Sequence, residues 1–275
     1  MDNSKAKKEL LIDNKIFTKD DTISLIKLFI KSSDEILEKS KDNYRKELIE
    51  KGYVESGIRK SDIDRGHSKL EFTDSDHSKY TSSFEEISET INILSNMRII
   101  EINLYFSEQV FNTRFIINLK HSDSHSTPGY AIVEGEDCDW VIATTKIVRD
   151  FFSTCRNQST FVKEHKLYIV PATILLLNFF LNNSIGLIAQ KMHLFPKFAM
   201  MTLSKDWMFF TVILSLITLS PAFLIYQRLI KIWPRIEIQT GKDFQQIQTG
   251  KRYKVLLLTS IILIPTLISF LLRLL

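Results

Sequence analysis

Two patterns of hydrophobic and polar positions divide the chain. The earlier part mixes apolar and polar residues at short periods, whereas the later part contains three long apolar runs, 167–190, 207–227 and 253–275. Each run is about as long as a helix must be to cross a hydrocarbon core of roughly 30 Å. The pattern predicts one domain over 1–160, followed by an all-α module of three transmembrane helices over 161–275.

Within the first domain the period of the apolar positions changes along the chain. Apolar residues recur every three or four positions from Ile23 to Leu48, which predicts a long helix capped by Asp20 or Asp21. A polar stretch follows, with one strand candidate at Leu70–Phe72. Helical spacing then returns over 84–94 and 140–152, and between these helices strict alternation predicts strands at Ile100–Phe106, Phe115–Leu119 and Tyr130–Val133. This order predicts an α+β domain with helices on one face of a small, mainly antiparallel sheet.

Charge separates the same two parts. Residues 1–162 carry 23 Lys and Arg against 28 Asp and Glu, and residues 163–275 carry 13 against 4. A net-acidic domain argues against binding of duplex nucleic acid, which requires a concentrated basic face. Basic residues beside the apolar runs favour an anionic lipid bilayer. Their distribution predicts a multi-pass protein of the inner (plasma) membrane with a cytoplasmic N-terminus.

Polar side chains within the first apolar run share one helix face. Successive residues of a helix are rotated by about 100°, and this rotation places four amide side chains on one side of the helix. They are Asn178, Asn182, Asn183 and Gln190. Amides that face lipid would lack hydrogen-bond partners. They therefore predict either packing between helices through amide hydrogen bonds or the lining of a water-filled pathway formed by several copies.

The chain lacks the short motifs that accompany common catalytic chemistry. The pairs Gly241-Lys242 and Gly250-Lys251 have neither the upstream glycine nor the following Ser or Thr of a P-loop. A nucleophile elbow and a HExxH sequence are also missing. Cys138 and Cys155 lack the spacing of a zinc or redox site, which favours reduced structural thiols. We therefore predict no enzyme activity, no catalytic residue, no metal and no cofactor.

A sensor-like domain followed by a few apolar spans resembles the membrane effectors of bacterial anti-phage systems. The resemblance is one of architecture over the whole chain, and no motif carries it. It implies a homo-oligomeric channel or pore, gated by a nucleotide or protein bound to the first domain. The basic candidates for ligand binding are Arg98, Arg114, Lys120, Arg149 and Arg156. The alternative is a membrane-tethered scaffold that docks partner proteins through its sheet and does not conduct.

Overall fold

A computed structural model of the chain describes residues 5–52, 66–121, 128–158, 165, 168–178, 181, 205–241, 244 and 248–258. The side chains of 85, 87, 205–211, 214 and 230 lie outside this description. The chain divides into two units. Unit 1 comprises Met1–Gln158 together with Pro234–Leu275, and unit 2 comprises Ser159–Trp233. The chain thus leaves unit 1, forms unit 2 and returns.

The described strands belong to unit 1. In chain order they are β1 (Ala6–Ile12), β2 (Lys15–Thr18), β3 (Gly66–Asp74), β4 (Lys79–Ser82), β5 (Ile99–Glu108), β6 (Thr113–Lys120), β7 (Gly129–Gly135), β8 (Arg156–Asn157) and β9 (Ile236–Gln239). Six of them form an antiparallel sheet in the order β1-β7-β6-β5-β3-β4, and the other three form a small sheet in the order β8-β2-β9. The three strands that alternation predicts are β5, β6 and β7. Both strands before the first helix were missed, since their charged residues conceal the pattern.

The described helices divide between the two units. In chain order they are α1 (Lys19–Glu50), α2 (Ile87–Asn96), α3 (Cys138–Thr154), α4 (described over 168–178), α5 (Lys205–Ile232) and α6 (described over 248–258), and a 3₁₀ turn over Phe84–Glu86 precedes α2. Of these, α4 and α5 belong to unit 2 and the others to unit 1. Unit 1 is therefore an α+β fold with a six-stranded antiparallel sheet.

Capping residues fix where α1 and α3 begin. The Thr18 hydroxyl accepts a hydrogen bond from the backbone N–H of Asp21, and the Asp21 carboxylate accepts one from the N–H of Thr18. This reciprocal pair is a capping box, so the cap of α1 is Thr18 rather than the predicted Asp20 or Asp21. At α3, the Asp137 carboxylate accepts from the N–H of Trp140 at 3.1 Å. Both caps satisfy donors that the first turn of a helix leaves without partners.

The core of unit 1 lies between one face of the large sheet and the helices. The aromatic ring of Phe115, on β6, contacts Phe29 of α1 at 4.5 Å and Trp140 of α3 at 6.2 Å between ring centroids. Along β5 and β6, alternate side chains are fully buried, as in Leu104 and Ile117. Since strand side chains alternate between faces, the helices cover one face and leave the other without a described covering element.

The small sheet holds the returning chain against unit 1. Strand β9 pairs in parallel with β2, and β8 pairs with the other edge of β2 in antiparallel fashion. Ile236 and Ile238 of β9 are fully buried in the core. Arg235 donates two hydrogen bonds to the carboxylate of Asp13, between β1 and β2. The chain therefore enters and leaves unit 2 through strands on either side of β2.

A buried carboxylate joins the segments that meet at this sheet. Glu237 of β9 has no exposed surface. One oxygen of its carboxylate accepts a hydrogen bond from the side-chain amide of Gln158 at 2.7 Å and another from the guanidinium of Arg252 on α6. The second oxygen accepts a hydrogen bond from the side-chain amide of Gln239 at 2.7 Å. We call these four residues the Glu237 cluster. Its hydrogen bonds and its ion pair offset the cost of removing a charge from water.

The helices do not support a membrane-spanning module. Judged on the residues that the structure describes, none of them combines the length and the apolar sequence that crossing a bilayer requires. This finding contradicts the prediction of three transmembrane helices over 161–275. The predictions that depended on it fail as well, namely the multi-pass inner-membrane location, the cytoplasmic N-terminus, the gated channel or pore, and the membrane tether of the alternative.

Charged residues give a physical reason for the correction. The described residues of α6 carry the charges of Lys251, Arg252 and Lys254, and Arg252 pairs with the buried Glu237 of β9 within unit 1. Charges are costly inside a hydrocarbon core, so a helix of this composition does not suit the third predicted span. The prediction weighed the apolar residues of the run and gave too little weight to these charges.

Removing the cation of the Glu237 cluster should destabilise unit 1. We expect Arg252→Leu to lower the free energy of unfolding by about 3 kcal/mol, because it leaves the fully buried carboxylate of Glu237 without its counter-ion. Chemical denaturation followed by circular dichroism measures the change. The neighbouring, exposed Lys251→Leu is the control, with an expected change within about 0.5 kcal/mol. Equal effects of the two variants would contradict the assigned role.

The two cysteines should differ in reactivity. Cys138 is exposed, whereas Cys155 is buried and its thiol donates to the carbonyl of Phe151 at 3.5 Å. Burial, with the charge of Asp21 adding to it, raises the pKa of Cys155 to about 11. Because the thiolate is the reactive form, we expect iodoacetamide at pH 8 to modify Cys138 in the folded protein and Cys155 only after unfolding. Peptide mass spectrometry distinguishes the sites, and equal labelling of both in the native protein would refute the expectation.

Candidate functional site

The face of the large sheet opposite the helices is the candidate site, and we call it the open face. Its side chains come from the alternate positions that the core does not use, and most are half-buried or exposed. Helices α1 and α3 of unit 1 pack on the other face of the sheet. Its residues on β1, β7, β6, β5 and β3 are Lys7, Glu9, Leu11, Tyr130, Ile132, Glu134, Arg114, Ile116, Asn118, Lys120, Glu101, Asn103, Tyr105, Ser107, His67, Lys69 and Glu71.

Strand register brings two rows of side chains together at the middle of this face. In one row, Ile116 of β6 stands between Tyr105 of β5 and Ile132 of β7. In the next row, Asn118 stands between Asn103 and Tyr130. Directly opposed side chains lie about 5 Å apart at Cβ, so each row is continuous. These six residues, which we call the central patch, combine two phenol rings, two aliphatic side chains and two amides.

The amides of the central patch bond to one another. The Asn118 amide donates a hydrogen bond to the amide oxygen of Asn103 on the neighbouring strand. This bond fixes the orientation of both side chains. Each amide has hydrogen-bonding capacity that this bond does not use, since an Asn side chain carries two donors and an acceptor with two lone pairs. The centre of the open face can thus make both apolar and directional contacts.

Charged residues surround the central patch and alternate in sign. At one end of β6, Arg114 lies opposite Glu134, which also forms an ion pair with Lys5 at 2.5 Å. The hydrogen bond from Lys5 holds the pKa of Glu134 below its usual value despite partial burial, and the charges of Lys7 and Arg114 add to this effect. Elsewhere Lys69 pairs with Glu71 at 2.6 Å. The border of the face therefore has no strong net charge.

The structure separates the five basic residues predicted to bind a ligand. Arg114 and Lys120 lie on the open face, at positions of β6 about 20 Å apart along the strand. Arg98 precedes β5 and places its guanidinium 4.7 Å from the ring centroid of Phe244. Arg149 is exposed on α3, on the opposite side of the sheet, and Arg156 is exposed on β8. They do not converge on one anion.

The polar residues predicted to line a pathway can be placed only in part. Asn178 of α4 is buried; its amide donates to the hydroxyl of Ser215 at 2.9 Å, and its oxygen accepts from the hydroxyl of Thr218 at 3.1 Å. Both hydrogen bonds join α4 to α5. Asn182, Asn183 and Gln190 lie outside the described residues.

The central patch escaped the sequence analysis although a signal for it exists. Alternation was used to select the buried positions of β5, β6 and β7. The intervening positions of the same strands include Tyr105, Ile116, Tyr130 and Ile132, which are more apolar than a face directed to water requires. Among the residues described, no group of three His, Cys, Asp or Glu side chains is arranged to hold a metal ion.

The ion pair of Glu134 should make stability depend on pH. Because the folded-state pKa is lowered, the pair stabilises the fold above the ordinary carboxyl pKa of 4.5, and the contribution disappears as the pH falls through the lower, folded value. We expect Glu134→Gln to cost about 0.5 kcal/mol at pH 7, since water screens the pair. The cost should vanish in strong acid. Thermal unfolding across this pH range measures the cost, and a cost of the same size in strong acid as at pH 7 would contradict the assigned role of the ion pair.

Comparison with known proteins gives no further assignment. The chain matches no protein-family model, no curated protein and no solved structure. Any function must therefore be inferred from the geometry of the chain itself.

Proposed function

We propose that the chain is a binding protein whose unit 1 docks a protein partner on the open face. The observation that carries the proposal is the central patch. It places two tyrosines and two isoleucines side by side on a sheet face that no described element covers. Burying half-exposed apolar side chains stabilises a complex by roughly 25 cal/mol for each Å² removed from water.

The shape and composition of the face favour a protein over a small molecule. Small ligands bind in concave sites that surround most of their surface, and a sheet face is broad. Protein interfaces are enriched in tyrosine and arginine and surround an apolar centre with a polar rim. Tyr105 and Tyr130 would be the central contacts, with Arg114 and Lys120 in the rim. Cations about 20 Å apart cannot hold the phosphates of one nucleotide together, so a nucleotide ligand fits less well.

A docking role requires no catalytic group, in keeping with the motifs that the sequence lacks. It also keeps the sensor half of the resemblance to anti-phage effectors, because recognition of a partner by the first domain is what that half implies. The partner's surface should offer apolar side chains at its centre and charges of both signs around them, since the border of the open face alternates in sign.

Site-specific photocrosslinking in the cells that make the protein tests the proposal. With p-benzoylphenylalanine in place of Ile132, we expect a discrete adduct with another protein. The same group in place of Ile142, which is 58% exposed on α3, is the matched control and should give none. Adding Tyr105→Ala should reduce the adduct at position 132 about tenfold, as for a central contact worth about 1.4 kcal/mol.

Three results would refute docking on the open face. One is the absence of any adduct at position 132, and another is an equal yield of adducts at 132 and 142. The third is a yield of the adduct at position 132 that Tyr105→Ala leaves unchanged. The control for this result is Ile147→Ala on α3, which should also leave the yield unchanged.

A further inference from the structure

Helix α5 is apolar on more than one side. The side that packs within unit 2 carries Thr218, Ala222 and Tyr226, all buried; Thr218 bonds to Asn178 of α4, and Tyr226 lies in an apolar cluster with Ile169, Val170, Leu229 and Trp233. Helices on the surface of a globular protein usually turn one apolar stripe inward and a polar face outward. These contacts account for the inner side of α5 and leave its outer side to be explained.

The outer side of α5 is a mainly apolar surface, with the exposed Ser220 within it. At about 100° per residue, seven large side chains occupy an arc of roughly 160°. They are 40–66% exposed, and they are Val212, Ile213, Leu216, Ile217, Leu219, Phe223 and Leu224. We call this set the α5 surface. Scattered single apolar residues are ordinary on protein surfaces, but a contiguous patch of this size marks an interaction site.

The spacing of four of these residues is that of a helix-packing seam. Val212, Leu216, Leu219 and Phe223 follow one another at intervals of four, three and four positions. This repeat brings side chains to one line on a helix that packs lengthwise against another helix. From Val212 to Gln227 the helix carries no charge, so two identical seams would face each other without repulsion between like charges.

We propose that the α5 surface docks against the α5 surface of a second copy of this chain. The seven side chains expose on the order of 700 Å², close to the roughly 800 Å² that each partner buries in a standard interface. A self-complementary seam satisfies the requirement of a two-fold interface, in which the same residues serve both copies. The proposal depends on unit 2 alone and is independent of the docking function of the open face.

Sedimentation of the full-length protein tests the assembly. We expect the wild type to form a dimer or a larger symmetric assembly. Leu216→Glu combined with Leu219→Glu should weaken association at least about hundredfold, because two charges would have to be buried in each copy. Ile142→Glu combined with Ile147→Glu on α3 is the control at comparable exposure and should leave the assembly intact. Circular dichroism checks that both variants retain their helices.

A second measurement leaves the α5 surface apolar and so does not depend on the folding of a charged variant. With p-benzoylphenylalanine in place of Leu216, irradiation should join two copies, and peptide mass spectrometry should locate the bond within α5 of the second copy. A monomeric wild type, or an assembly that survives the Leu216→Glu and Leu219→Glu changes, would overturn the proposal.

Lipid is the other apolar material that the α5 surface could contact, and flotation with vesicles distinguishes it. Vesicles of phosphatidylcholine and phosphatidylglycerol are mixed with the wild type and with the doubly charged variant. If the wild type floats, the variant does not, and no crosslink between copies forms at position 216, the surface serves lipid and the proposal is wrong. A crosslink between copies without vesicles supports it.

Discussion

The parallel pairing of β9 with β2 is the constraint on which the arrangement of the chain depends. Parallel strands cannot be joined by a tight turn, so a long connection must separate them. Here the connection includes five of the six strands of the large sheet, all except β1, and all of unit 2. Burial of Ile236 and Ile238 drives the pairing, and the Glu237 cluster closes it by joining residues 79 positions apart, Gln158 and Glu237. Without this return, the chain would not re-enter the core of unit 1 after unit 2.

Covering only one face of the large sheet gives unit 1 both its stability and its candidate site. The period of two in each strand separates the side chains into two sets, and α1 and α3 bury one of them around Phe115. The other set cannot join the same core, whatever its composition. Tyr105 and Ile116 are therefore held in fixed register by a rigid sheet while they remain accessible. A surface of this kind is organised before a partner arrives, which lowers the entropic cost of binding.

Unit 2 shows why an apolar run is an incomplete statement about environment. The hydrophobic effect is not directional, so it determines that a side chain leaves water and not what it then contacts. In unit 2, the hydrogen bond between Asn178 and Thr218 and the apolar cluster around Tyr226 occupy the inner side of α5, and seven further apolar residues remain exposed on its outer side. The same sequence pattern is compatible with lipid, with a second helix of the chain or with another copy. The prediction from the length and apolar composition of the run, which was a membrane span, was wrong.

The sequence by itself determined the local structure of the first domain: α1 and α3 follow from a period of three to four, and β5, β6 and β7 from strict alternation, because these patterns depend on neighbours in sequence. It also indicated that Asn178 would require a polar partner. Only the tertiary structure decided that β1 and β2 are strands, that β9 returns to β2, and that Arg114 and Lys120 share a face from which Arg149 is excluded. Those outcomes depend on contacts between residues far apart in sequence, and no local pattern of apolar positions encodes which distant segment a strand will pair with.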